Sequence, residues 1–194
     1  MKKYDLLILG PATRDVNIDY TGAEDRSVGG AVTYCTPAAK AAGARVFSAV
    51  KIAPVDADIM DLIDLPAGSK ALIPSEKTTL MRNEYFTADR ERRNSSCAAQ
   101  SGPVLPDEVP GIDFKLCHLA GLLYGDFPGE LIEFLAGKVP CLHRAGTCLF
   151  PVEHQHLRIV RHHHFLCAPG VQLPCRSFAV RKPRKDLGFG GVGL

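Results

Sequence analysis

Tyr4-Asp5-Leu6-Leu7-Ile8-Leu9-Gly10 is the stretch that decides the fold class of this 194-residue chain. From Leu6 to Leu9 it is a continuous apolar run, closed by Gly10-Pro11, and it lacks the two-residue alternation of a half-exposed strand. Such a run predicts a strand buried on both faces, as in a parallel sheet. It is far short of the ~20 apolar residues that span a bilayer. Met1-Lys2-Lys3 in front of it imitates a signal peptide, but Asp5 interrupts the approach and no small-residue cleavage site follows. A cytoplasmic location is therefore the default expectation.

Outward from that strand, Val16-Asn17-Ile18-Asp19-Tyr20 alternates apolar and polar residues, the pattern of a half-exposed strand. Gly29-Gly30 then opens an alanine-rich stretch, Ala31 to Ala42, which predicts a helix that Gly43 can end. Pro37 inside it predicts a bend or a late start. Arg45 to Val50 predicts the next buried strand, and Asp56 to Leu65 a short helix closed by Pro66-Ala67-Gly68. Thr78 to Thr87 and Arg92 to Ala98 predict two strands around the polar turn Ala88-Asp89-Arg90-Glu91. Lys115 to Gly121 predicts a further strand, and Pro128 to Leu135 a helix with proline at its start. Strands alternating with helices predict an α/β core: a mostly parallel sheet with flanking helices. The strands with polar alternation do not fit that core and predict a small β appendage.

Two compositions share the chain. Residues 1–139 carry a net charge of −4 and residues 140–194 one of +6. Six of the seven histidines and four of the seven cysteines fall in the second part. The cysteines, Cys35, Cys97, Cys117, Cys141, Cys148, Cys167 and Cys175, are odd in number and irregular in spacing, without a CxxC pair. Reduced thiols, not a disulfide framework, are the expectation. The apolar fraction of 46% and charged fraction of 23% exclude a disordered chain for the body of the sequence.

The body resembles the opening of PfkB-type (ribokinase-like) carbohydrate kinases. The residues that carry the resemblance are Asp5 to Gly10, then Asp15, then Gly29-Gly30 before the alanine-rich helix. It continues through Thr78-Thr79 with Asn83 and Tyr85, similar to a strand of the family's β lid, and through His118 to Leu123 with Gly125-Asp126-Phe127-Pro128. It covers Asp5 to Val139. The fold it implies is a ribokinase-like, mostly parallel sheet with flanking helices and a small β lid, incomplete at the C-terminal side. By the resemblance, Asp15 meets substrate hydroxyls, the Gly29 and Gly30 amides approach the substrate closely, and Tyr34 and Asn83 line the same pocket. The substrate class implied is a sugar or nucleoside, bound weakly here. Two positions depart from the family: Thr13 and Tyr34 stand where ribokinase-like members often carry asparagines, which leaves the substrate's identity open.

In this family the ATP site and the general base lie in the C-terminal half, in an Asn-x-x-Glu segment and an Asp-x-x-Gly-Ala-Gly-Asp segment. Neither pattern occurs in this sequence. ATP and magnesium are accordingly expected only for full-length relatives, and this chain alone is expected to be inactive. An uncovered sheet edge and apolar face would follow from a missing half, so poor solubility, a homo-oligomer or a partner chain is expected.

Other motifs carry less. Gly188 to Gly193 matches GxGxxG, but Arg181-Lys182-Pro183-Arg184-Lys185 stands where a strand should precede it. Asp126 reads as a turn or capping residue more readily than as a base. His162-His163-His164 with His154 and His156 lack the regular spacings of zinc sites. From Pro140 onward no strand or helix period is evident, and the shift toward Pro, Cys, His and Arg suits either an out-of-frame product or a genuine basic extension. The domain division expected is 1–139, the substrate-side part, and 140–194, a basic tail. Two functional classes stay open: a sugar or nucleoside kinase-like protein with a partial substrate pocket, and a binding module whose tail contacts nucleic acid or another acidic partner. The tail's few aromatics and lack of a nucleic-acid fold favour the first.

Overall fold

The computed structural model describes residues 3–139, 141–145, 147–148, 160–161 and 164–167. In chain order these form β1 (Lys3–Pro11), β2 (Thr13–Ile18), β3 (Glu24–Gly29), α1 (Ala31–Ala41), β4 (Val46–Ile52), β5 (Lys70–Pro74), β6 (Thr79–Tyr85), β7 (Arg93–Ala99), β8 (Asp113–Ala120), α2 (Gly129–Ala136), β9 (Cys141–Ala145), β10 (Thr147–Cys148), β11 (Val160–Arg161) and β12 (His164–Cys167).

The opening apolar run lies inside a six-stranded sheet of order β12-β9-β8-β1-β4-β5, parallel except for β12. Leu7, Ile8 and Leu9 are all fully buried because both faces of β1 are covered. Leu7 and Leu9 join Phe47, Leu119 and, from α2, Leu131 and Leu135 on one face. Ile8 joins Val50, Ile52 and, from α1, Val32 on the other, with Ile59 and Ile63. Each such leucine or isoleucine contributes about 1.5–3 kcal/mol of burial. A buried hydroxyl pair, Thr36 Oγ1 to Ser48 Oγ at 2.7 Å, pins α1 to β4. At the N-terminal ends of the strands Asp5 accepts from Arg45 N (3.1 Å), Arg45 Nε (3.0 Å) and Lys115 Nζ (2.7 Å), which fixes β4 and β8 to β1.

The second sheet, β3-β2-β6-β7, is mixed: β2 and β6 run parallel, and the outer strands are antiparallel to them. This is the β appendage expected from the polar strands. Its outer strand β3 escaped the sequence pattern because Glu24-Asp25-Arg26-Ser27 are all exposed, and backbone pairing to β2 holds the strand. β5 escaped by its shortness.

Three further expectations are adjusted. The helix α1 begins at Ala31 and runs through Pro37, so the proline does not delay its start. The segment after β4 is a 3-10 helix over Pro54–Leu62, interrupted at Asp56. Cys141–Ala145, which showed no strand period, pairs parallel with β8 from Leu116 opposite Cys141 to Ala120 opposite Ala145. The exposed edge of β8 supplies the backbone partners that this segment's side-chain pattern does not announce. Gly188 to Gly193, His154, His156, His162 and His163 lie outside the described residues. No helix among the described residues is long and apolar enough to cross a membrane.

Candidate functional site

The chain leaves the core sheet at Pro11, and β2 begins two residues later. Alternation places Thr13, Asp15 and Asn17 on one face of the second sheet. Across the antiparallel pairing Thr13 faces Gly29 and Asp15 faces Ser27. Thr13 Oγ1 donates to Asp15 Oδ1 at 2.6 Å. A Cβ built on Gly29 would fall 2.5 Å from Asp15 Oδ2 and 2.7 Å from Thr13 Oγ1. A side chain here would have to displace the Asp15 carboxylate and the Thr13 hydroxyl, which occupy the space it would need. Gly30 is required for a second reason. Its φ is 97°, it precedes α1 without a side-chain cap, and a Cβ there would meet Pro11 O at 2.7 Å.

The same face carries a chain of hydrogen bonds across all four strands. Ser95 Oγ donates to Asn83 Oδ1 (2.7 Å), Asn83 Nδ2 to Asn17 Oδ1 (3.0 Å), and Asn17 Nδ2 to Ser27 Oγ (2.9 Å). Asn17 stands opposite Asn83, and Asn83 opposite Ser95. Both amides are buried, and each retains one N–H beyond these bonds. The alternation of residues 16–20 marks a half-exposed strand without saying which phase faces inward. The structure buries Asn17 and leaves Tyr20 59% exposed. Burial of the polar side is tolerable because each amide finds partners across the strands.

Asp15, Gly29 and Gly30 therefore come together, and Asn83 joins them through Asn17. Tyr34 stands apart, 68% exposed in the first half of α1. Thr13, Asn17, Ser27 and Ser95 were missed as site residues. The signal that would have found two of them, Thr13 and Asn17, is the polar spacing Thr13, Asp15, Asn17 along one strand face. Asp126 is buried and holds a turn: Oδ2 accepts from Leu122 N and Leu123 N, both at 2.7 Å, and Oδ1 from Gln100 Nε2 at 3.1 Å.

A cleft of about 610 Å³ beside the second sheet is lined by Asp15 and Ser27 together with Arg14, Val16, Arg26, Val28, Asp56, Leu62 and Leu80. Arg14 Nε donates to Asp56 Oδ1 at 2.9 Å. The Thr78 hydroxyl first, and Arg14 after it, lower the Asp56 pKa.

Where the two sheets join, polar contacts stitch the crossing segments together. Ala53 N donates to Thr78 Oγ1 (2.9 Å), Ser101 N to Thr79 Oγ1 (3.1 Å), and Ser75 Oγ to Ser101 O. Lys51 Nζ, at the end of β4, donates to both carboxylate oxygens of Glu108, at 2.7 and 2.6 Å.

No protein-family model matches this chain. No curated protein is significantly similar to it in sequence. Solved structures are similar in architecture. A pyrophosphate-dependent kinase in the ribokinase family, complexed with a pyrophosphate analog and myo-inositol, matches with a TM-score of 0.55 at 23% identity, covering 72% of this chain and 48% of that one. A pyrophosphate-dependent myo-inositol-1 kinase converted by a double mutation into a myo-inositol-3 kinase matches with a TM-score of 0.57 at 22% identity, over 72% and 46%. The Arabidopsis thaliana ribokinase complexed with ribose and ATP matches with a TM-score of 0.50 at 8% identity, over 73% and 53%. The chain thus spans about half the length of the structures it matches. At these identities the likeness is one of architecture, and the architecture is plain: a parallel α/β sheet joined to a smaller mixed sheet, the ribokinase-like fold.

Proposed function

We propose that this chain forms the substrate-side part of a kinase that phosphorylates an alcohol group of a small polyhydroxylated molecule, a sugar, nucleoside or cyclitol. The observation that carries the reading is the Asp15 carboxylate laid over Gly29, on the same face as the Asn17 and Asn83 amides. A carboxylate accepts a hydroxyl proton and an amide N–H donates to a hydroxyl oxygen, so neighbouring hydroxyls of a polyol can satisfy both. Ribose and myo-inositol, bound in the similar structures, are ligands of that kind. Asp15, Gly29, Gly30 and Asn83 form the floor of the proposed site, and Tyr34, which stands apart on α1, is a substrate contact by the family resemblance alone.

The donor is ATP with magnesium by the family resemblance, or pyrophosphate by two of the architectural likenesses. Phosphoryl transfer depends on groups placed where charge develops, and losing a single oxyanion donor costs ~10²–10³ in rate. The residues of this chain are therefore proposed to bind substrate weakly without turnover on their own, in a cytoplasmic setting, as a homo-oligomer or with a partner chain.

One preparation tests this twice. Calorimetry with myo-inositol, ribose and inosine is expected to show weak binding that Asp15→Asn removes. Labelled ATP and labelled pyrophosphate are expected to show no transfer to the same compounds. Binding indifferent to Asp15→Asn would refute the site, and turnover by pure protein would refute the inactivity.

A further inference from the structure

We infer that Thr13 is a positioning residue that decides which oxygen of Asp15 is offered to the substrate, an inference that rests on the substrate role proposed for Asp15. Thr13 is 1% exposed, so its hydroxyl faces no ligand. It donates instead to Asp15 Oδ1 at 2.6 Å. Thr13 is itself held in place. It lies between Gly29 on β3 and Thr79 on β6, and Thr79 is fully buried, with its hydroxyl bonded to Ser101 N at 3.1 Å. The second carboxylate oxygen, Oδ2, rests where a Gly29 side chain would be.

These contacts divide the work of the carboxylate. Oδ1 is engaged by an internal donor, and Oδ2 is turned across the glycine. An ionised carboxylate has about four acceptor sites, and an internal brace on one oxygen removes the rotational freedom that would let both meet a diol. Asp15 then makes a one-oxygen contact with a single hydroxyl. A neighbouring hydroxyl is left to the spare amide N–H of Asn17, two residues along the same strand face.

The test uses the full chain, with aspartate labelled at the side-chain carboxyl carbon and the Asp15 resonance identified by its loss in Asp15→Asn. Thr13→Val keeps the shape and removes the donor. It is expected to move the Asp15 carboxyl resonance and to weaken myo-inositol binding about tenfold, the scale of one charge-assisted hydrogen bond. Thr13→Ser restores the donor and is expected to return both to wild-type values. In the wild type the Thr13 hydroxyl proton is expected to be protected from exchange with water, a measurement that holds even if Thr13→Val does not fold. An unmoved resonance in folded Thr13→Val, no recovery in Thr13→Ser, or a freely exchanging Thr13 hydroxyl overturns the inference. Equal myo-inositol binding by wild type and Asp15→Asn would overturn the substrate reading instead, while the resonance would still judge the brace.

Discussion

Removing either partner of the Lys51–Glu108 pair should destabilise the chain, and removing both should not. The Lys51 side chain is 7% exposed and that of Glu108 21%. The ammonium donates to both carboxylate oxygens, and Glu108 Oε2 also accepts from Leu105 N at 2.8 Å. Glu108→Leu strands a deeply buried ammonium, and breaking a buried pair in this way costs about 3–5 kcal/mol. Lys51→Met should cost less, about 2–3 kcal/mol, because methionine keeps most of the apolar stem and Glu108 keeps a backbone donor and some water. The double variant replaces two desolvated charges by apolar side chains and is expected to lie within ~1 kcal/mol of wild type. The cycle should therefore close with a coupling energy of several kcal/mol, far above the ~0.5 kcal/mol of independent sites. The chain has no tryptophan, so urea unfolding is best followed by far-UV circular dichroism. Additive single effects, or a Glu108→Leu cost under ~1 kcal/mol as for a surface pair, would refute the reasoning.

Three more predictions follow from single contacts. Gly29→Ala places a methyl 2.5 Å from Asp15 Oδ2; overpacking of this kind costs about 1–3 kcal/mol, and urea unfolding should show it alongside lost myo-inositol binding. Arg45 first, and Lys115 after it, hold the Asp5 carboxyl well below the usual carboxylate range. The stability this gives is complete above an unfolded pKa of about 3.9 and fades as pH falls through the lower folded value. Asp5→Asn should thus be less stable than wild type at neutral pH, and acid titration of the melting temperature should bring the two together. Burial pushes the Cys117 thiol up to about 12, so iodoacetamide at mildly alkaline pH should label exposed Cys97 and spare Cys117 in the native chain, as read by peptide mass mapping.

The fold was legible wherever side-chain burial and secondary structure agree. β1 showed itself because a strand covered on both faces has no polar phase, and α2 because Leu131 and Leu135 share one buried side. β3 and β9 did not, since strands held by backbone pairing leave little mark on side-chain pattern. The inner face of β2 was not legible for a related reason. Periodicity tells which residues share a face, but hydropathy assigns the inner face only when the polar residues have water as their best partner. Here Asn17 has Asn83 and Ser27, residues from two other strands, and that pairing is invisible in a local window.

The candidate positions were legible in the sequence, but what holds them in place was not. Asp15 and Gly29-Gly30 stood out by their order, and the family resemblance explained both glycines by close approach of a ligand. The geometry adds a cause internal to the chain. Gly29 is bare because Asp15 and Thr13 lean over it, and Gly30 is bare because its positive φ brings it against Pro11 and Ala12. The aspartate and the first glycine are thus coupled sterically whether or not a substrate is present. A ligand requirement alone would let Gly29→Ala fold normally and fail only in binding. The internal coupling requires Gly29→Ala to lose stability without ligand, and truncating the carboxylate by Asp15→Ala in the same chain to recover part of that loss. A Gly29→Ala cost that is the same in the Asp15→Ala background as in wild type would show that the carboxylate is not what the glycine accommodates.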